Sequence, residues 1–147
     1  MALHLNAAGL ARRHCLLAAL PLPALASAPA HTATLQQATL QEAMQRAQAL
    51  RDEAVAAGDQ AYGAVVLCGS TIVGAAPSRV VTAKDTSAHA EMEALRDAAR
   101  TLRSPSLAGC TLVSTSRPCR MCEAAAAKAG IARMVHGEAL SDAGPPR

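Results

Sequence analysis

Four side chains carry the reactive chemistry of this sequence: His89 and Glu91 in SAHAEMEALR (Ser87 to Arg96), and Cys119 and Cys122 in SRPCRMCE (Ser116 to Glu123). A Cys-x-x-Cys pair behind a proline serves equally as a disulfide, a redox couple or half of a zinc site. One histidine and two thiolates together form a set of ligands that suits zinc and leaves a fourth tetrahedral position for water, as catalytic sites do. Glu91 stands two residues from His89, near enough to reach that water and too awkwardly placed to be an obvious fourth ligand. Zinc brings the pKa of its water to about 7, and a carboxylate beside it can take the proton and deliver it to a leaving nitrogen.

Both segments fall where a loop or strand end passes into a helix, and unpaired helix N–H groups favour thiolates there. The helix that carries Glu91 is predicted from about Ala88 to Leu102, with Met92, Leu95, Ala99 and Leu102 on one face. Another is predicted over Pro118 to Ala129, with proline in its first turn and Gly130 after its end. Before them, the apolar positions from Leu35 to Ala57 recur at helical spacing and stop at Gly58. GAVVLC (Gly63 to Cys68) and TIVGA (Thr71 to Ala75) read as strands joined by a two-residue turn at Gly69-Ser70. TLVST (Thr111 to Thr115) and IARMVHG read as strands on either side of the third helix, a βαβ unit with parallel strands and a right-handed crossover. The fold class is therefore α/β, a three-layer α/β/α sandwich with a mixed sheet whose βαβ unit carries the metal site. The tail EALSDAGPPR has no periodicity and is expected to fray.

At 147 residues the chain has room for one domain. Its apolar residues, 51 % of the total, include one tyrosine, Tyr62, and neither Phe nor Trp, so the core must be aliphatic and stacking platforms for single-stranded nucleic acid are missing. No apolar run reaches the roughly 20 residues that span a bilayer. Residues 1–30 have the layout of an export signal: Arg12-Arg13, the uncharged Leu16 to Leu25, then the small residues of ALAS and APAH. ARRHCLL is similar to the twin-arginine pattern, with Cys15 where that pattern usually has a bulky apolar residue. An Ala-rich N-terminal helix is the plainer reading of the same stretch. Cleavage after Ala26 or Ala30 would leave a domain ending at residue 147, expected in the periplasm or outside the cell; retention of the segment would leave it cytoplasmic. Loss of Arg12 and Arg13 takes the 14 basic side chains to 12 against 11 acidic ones, and the net charge from +3 to +1. That is not the strongly basic face of a nucleic-acid binder.

HAE and PCRMC, with residues 92–117 between Glu91 and Pro118, match the H-x-E and P-C-x-x-C signature of zinc nucleobase deaminases. The sequence resembles the cytidine/deoxycytidylate deaminase superfamily, nearest its guanine deaminase and tRNA adenosine deaminase branch, through MEALR after HAE and through AVAAGDQAYGAVVL upstream. The likeness spans about Leu35 to Gly137. It implies a five-stranded sheet between helices and a reaction that replaces an exocyclic amino group by a carbonyl oxygen. It also implies His89, Cys119 and Cys122 as zinc ligands, Glu91 as proton shuttle and the backbone at Gly63-Ala64 as a wall for the base. Ser78 aligns with a substrate-contacting asparagine of the family but has a shorter reach and one fewer hydrogen-bonding group. Arg117 stands where the branch usually has Glu, and relatives continue through a fifth strand and a terminal helix that this chain is expected to lack.

The reading that follows is a zinc-dependent deaminase of a free nucleobase or nucleoside, with guanine-like substrates favoured and a homodimer as the default assembly. Adenosine in tRNA is the alternative substrate, opposed by the charge and the export signal. A zinc-binding interaction module without catalysis is a further alternative, resting on Ser78, Arg117 and the expected short C-terminus. A thiol-redox protein using Cys119 and Cys122 is another, although such a couple has no use for HAE. His4, His14, His31 and His136 lack comparable partners, and Cys68 and Cys110 read as small buried residues. Arg96, Arg100 and Arg103 read as a solvated helix face, whereas Arg117 and Arg120 flank the metal cysteines and either face substrate phosphate or ribose or raise thiolate character.

Overall fold

The computed structural model describes residues 29–147, and side chains from residue 39 onward. The expected export signal falls, apart from its last two residues, outside the described residues. A long helix, α1 (Pro29–Ala56), leads into a hairpin of β1 (Gly63–Cys68) and β2 (Thr71–Pro77). α2 (Ala90–Leu102), β3 (Thr111–Ser114), α3 (Arg120–Ala129), β4 (Arg133–His136) and β5 (Ser141–Gly144) follow. The five strands form one sheet in the order β2-β1-β3-β4-β5. Only the β3–β4 pair is parallel, as the βαβ reading requires, since a crossover through α3 returns the chain in the same direction.

Alternation along the strands sorts the core into two layers. Val65, Leu67, Val113 and Val135 face α1, where they meet Leu40, Ala43, Met44 and Ala47. Ala64, Val66, Leu112 and Met134 face the other way, toward Ala90, Ala94 and Ala98 of α2 and Ala126 of α3. The three-layer sandwich is thus present, and an alanine-rich composition explains its closeness. A Cβ added at Gly74 of β2 would lie 2.4 Å from the backbone oxygen of Ala94 and 2.6 Å from the nitrogen of Ala98. One added at Gly63 would lie 2.0 Å from the oxygen of Ala47. Backbones meet backbones at these two points, which is what lets helices with small side chains bury the sheet fully.

Two expectations need correction. The tail does not fray throughout: Ser141–Gly144 pairs antiparallel with β4, so the fifth strand is there. SDAG lacks the β-branched alternation that marks a strand. It is held instead by its ladder and by Arg133, whose Nε donates to Asp142 Oδ2 at 2.9 Å. Cys68 and Cys110 are not merely small core residues, because they form a disulfide. β1 and β3 are antiparallel neighbours with Leu67 opposite Thr111, so the next residues outward, Cys68 and Cys110, come face to face with Cα atoms 4.3 Å apart. That pairing depends on the sheet order, which the sequence alone does not disclose.

Replacing both cysteines by alanine should lower unfolding free energy by about 2–4 kcal/mol, the usual effect of opening a loop of this size. Urea denaturation of the oxidised protein and the double variant checks it. Gly74→Ala should cost about 1–3 kcal/mol by overpacking against α2, whereas an unchanged midpoint would show that α2 does not sit on β2 as described.

Candidate metal centre and adjoining cavity

The reactive residues sit at the first positions of two helices. His89 is the N-cap of α2 and Cys119 the N-cap of α3, both with extended backbone (ψ 150° and 169°) and neither using its side chain to cap the helix. Pro118 therefore precedes the helix and does not open it, a shift from the expected start. The extended cap turns the Cys119 sulfur away from its own helix and toward His89. Cys122 follows three residues later, so that both sulfurs lie on one side of the first turn.

The three ligand atoms form a nearly equilateral triangle. Cys119 Sγ is 3.7 Å and Cys122 Sγ 3.6 Å from His89 Nδ1, and the sulfurs are 3.7 Å apart. A tetrahedral zinc with bonds of about 2.3 Å to sulfur and about 2.0–2.1 Å to nitrogen places its ligands about 3.8 Å (S to S) and about 3.6 Å (S to N) apart. The observed separations are those edges, so the residues fit the ion. The donor set agrees. Burial pushes the Cys122 thiol well above its ordinary value, and the charges of Glu91 and Cys119 push it further. Burial likewise raises Glu91, against the opposing pull of its own backbone N–H and of His89. Two would-be anions side by side in the interior, with Cys122 Sγ 3.8 Å from Glu91 Oε2, call for a cation between them.

Of these ligands, His89 and Cys119 line a cavity of about 280 Å³, at the lower edge of the range for small-molecule sites. Gln60 and Tyr62 line it from the α1–β1 loop, Ser116 and Arg117 from the β3–α3 turn, and His89, Glu91 and Cys119 from the helix starts. The structure thus brings five of the expected residues together: His89, Glu91, Cys119, Cys122 and Arg117. Gly63 and Ala64 begin β1 directly after Tyr62; Gly63 exchanges two hydrogen bonds with Thr115, and Ala64 is buried against the α2 layer. Ser78 is buried, and its hydroxyl donates to Asp59 Oδ1 at 2.8 Å, so it braces the loops behind the cavity. Arg96 and Arg100 pair with Glu93 and Asp97 on the exposed face of α2, as a solvated surface should.

Asp59 is the residue that sequence reasoning missed. Its carboxylate accepts hydrogen bonds from the backbone N–H of Gln60, Val81 and Thr82 and from the hydroxyls of Ser78 and Thr82, all at 2.8–3.0 Å. Ser78 N–H also donates to the Tyr62 carbonyl and Arg79 N–H to the Ala88 carbonyl. The loop bearing Gln60 and Tyr62 is thereby fastened to the loop that ends at His89. The signal in the sequence was slight, an aspartate just after a helix-ending glycine, a position that turn-forming residues often take.

Residues 37–138 match the family model for the cytidine and deoxycytidylate deaminase zinc-binding region. The chain belongs to this family. Over 106 residues it is 42 % identical to a tRNA(Ile)-lysidine synthase of Deinococcus deserti, a match covering 71 % of this chain and 20 % of the other. It is 35 % identical over 85 residues to a tRNA-specific adenosine deaminase of Buchnera aphidicola, covering 58 % of this chain and 56 % of that one. Among solved structures, guanine deaminase from Bacillus subtilis superposes with a TM-score of 0.63 at 32 % identity, over 66 % of this chain and 62 % of that one. The match thus spans about a fifth of the lysidine synthase and about half of the tRNA deaminase. His89, Cys119 and Cys122 all lie within the matched residues.

The loop clasp at Asp59 has a pH signature. Burial works to raise its carboxyl, but the hydrogen bonds from Thr82, Gln60 and Ser78 outweigh it and hold the group well below the usual carboxylate range. A depressed folded pKa contributes stability in full above the unfolded value of about 3.9 and loses it as pH falls toward the folded one. Asp59→Asn should therefore be less stable than the parent at pH 7, with the gap closing below about pH 4. Thermal melts of both proteins from pH 7 to pH 2 check it, and a gap that stays constant would remove the carboxylate from this role.

Proposed function

We propose that this chain is a zinc-dependent hydrolytic deaminase acting on a nucleobase in a small molecule, the free base or its nucleoside, with guanine-like bases favoured. The observation that carries the reading is the buried Glu91 carboxylate beside a triangle of zinc-spaced ligands, with Glu91, His89 and Cys119 lining a cavity of about 280 Å³. His89, Cys119 and Cys122 would hold the ion. Zinc, when bound, supplies the Lewis acidity that makes water a competent nucleophile near neutral pH. Glu91 takes the proton released from the attacking water and returns it to the departing amino nitrogen, so that ammonia leaves and a carbonyl oxygen remains. Its burial suits both steps, because burial raises the carboxyl above its ordinary value and so makes it a readier proton acceptor than an exposed glutamate. Tyr62 offers a ring face and Gln60 an amide that can both donate and accept, the two functions needed to hold and read a base edge.

The guanine preference draws support from the likeness to the Bacillus guanine deaminase. The tRNA-specific adenosine deaminases among the relatives favour adenosine in tRNA as the second reading. The near-balanced charge and the single aromatic side chain weigh against that polyanion. Export is proposed too: the Cys68–Cys110 disulfide is the bond expected of a protein that matures in an oxidising compartment. A homodimer is retained as the proposed assembly.

Zinc-loaded protein should release ammonia from at least one member of a panel of free bases and nucleosides. Glu91→Gln should keep its zinc and lose about 10²–10⁴-fold in turnover, the usual worth of a positioned general acid and base. Full zinc with no turnover on the panel, or on a tRNA substrate, would turn the reading toward a non-catalytic zinc module. Unchanged turnover in Glu91→Gln would overturn the mechanism.

A further inference from the structure

Arg117 stands two residues before Cys119 and lines the cavity beside His89 and Glu91. Three of the other lining side chains are committed in the proposed reaction, His89 and Cys119 to the ion and Glu91 to the proton. The rest, Gln60, Tyr62 and Ser116, carry an amide or a hydroxyl, and each such group donates or accepts to suit its partner. A guanidinium only donates. Arg117 is thus the one uncommitted side chain of the lining that tells an acceptor from a donor on a bound base. Ser78 does not compete for this role, because its hydroxyl donates to Asp59 and it lies outside the lining.

The charge of Arg117 is also unspent. Arg46, Arg51, Arg96, Arg100 and Arg133 each pair with a carboxylate, whereas among the described residues no ion pair or side-chain hydrogen bond engages the Arg117 guanidinium. Arg117 borders a second cavity as well, together with Arg120, Glu123 and Arg147. The like charges of Arg120 and Arg147 oppose a third guanidinium there, so an acceptor in the cavity beside His89 draws Arg117 to its own side.

A 6-oxopurine presents O6 and N7 side by side, an acceptor pair that a guanidinium meets with two parallel N–H groups. A 6-aminopurine puts an amino donor in the place of O6, and donor then faces donor. We infer that Arg117 determines the specificity of the site, donating to O6 and N7 of a purine whose C2 amino group is the one removed beside Glu91. This rests on the deaminase reading and deepens it, by naming the residue that chooses the base and the edge it reads.

Guanine and 2,6-diaminopurine are the probes, since both carry the C2 amino group and they differ in the carbonyl or amino group at C6 and the ring proton that goes with it. Equilibrium dialysis of each against the zinc-loaded full chain carrying Glu91→Gln reads affinity without turnover. With Arg117 in place, guanine should be favoured by about tenfold or more, the discrimination that a paired arginine contact gives. Arg117→Lys, which keeps the charge and loses the paired donors, should lower that ratio. Arg117→Glu, whose carboxylate only accepts, should reverse it, with zinc content unchanged in both variants. Arg117 is exposed, so neither change disturbs the core. A purely structural role would weaken both bases alike and leave the ratio in place. The inference is overturned by a ratio that neither variant moves, by one that moves only where zinc is lost, by a preference for 2,6-diaminopurine with Arg117 in place, or by no binding of either base. The expected ratios without ammonia release from guanine by the chain that retains Glu91 would defeat the deaminase reading alone. Ammonia release from guanine with a ratio that does not respond to Arg117 would defeat this inference alone.

Discussion

His89 Nδ1, Cys119 Sγ and Cys122 Sγ can share an ion only if two helices begin within a few ångströms of each other, and the rest of the chain is arranged around that requirement. α3 is placed by the parallel β3–β4 pair that it connects. α2 is placed by its contact with β2, where Gly74 lets the helix backbone approach. β1 lies between β2 and β3 and joins the two placements into one sheet. Separations of 3.6–3.7 Å among the ligands are thus the end result of strand order, a crossover and a glycine contact.

Electrostatics acts in opposite senses at the front and back of the site. At the front, burial disfavours the charged forms of Glu91 and Cys122, so that their ionisation calls for a cation beside them. At the back, five hydrogen bonds keep Asp59 ionised and bind together the loops that carry Tyr62 and His89. In the proposed mechanism one carboxylate, Glu91, moves a proton, whereas the other, Asp59, holds loops in position. Their environments, not their chemical type, decide which does which.

Most of the framework was legible because local signals and tertiary demands agree. The β1–β2 hairpin, the βαβ unit and the starts of α2 and α3 within two residues all follow from Gly-Ser at a turn, apolar runs, and proline and glycine at helix ends. HAE and PCRMC were legible because ligand chemistry restricts both residue type and spacing. β5 was not, since SDAG draws its stability from pairing and from Arg133, neither of which shows in local composition. The Cys68–Cys110 bond was hidden for a related reason, as it follows from β1 and β3 being neighbours. The hydrogen bond from the Ser78 hydroxyl to Asp59 was hidden too, since that partner stands 19 residues earlier and no motif marks it.

X-ray absorption at the zinc edge of the purified full chain tests the central claim most directly, because it reads the ligand set without relying on a substrate. The account predicts about one zinc per chain with two sulfurs at about 2.3 Å, one imidazole nitrogen at about 2.0–2.1 Å and one further light atom. A shell of light atoms only, or a metal-free protein with Cys119 and Cys122 joined in a disulfide, would contradict it.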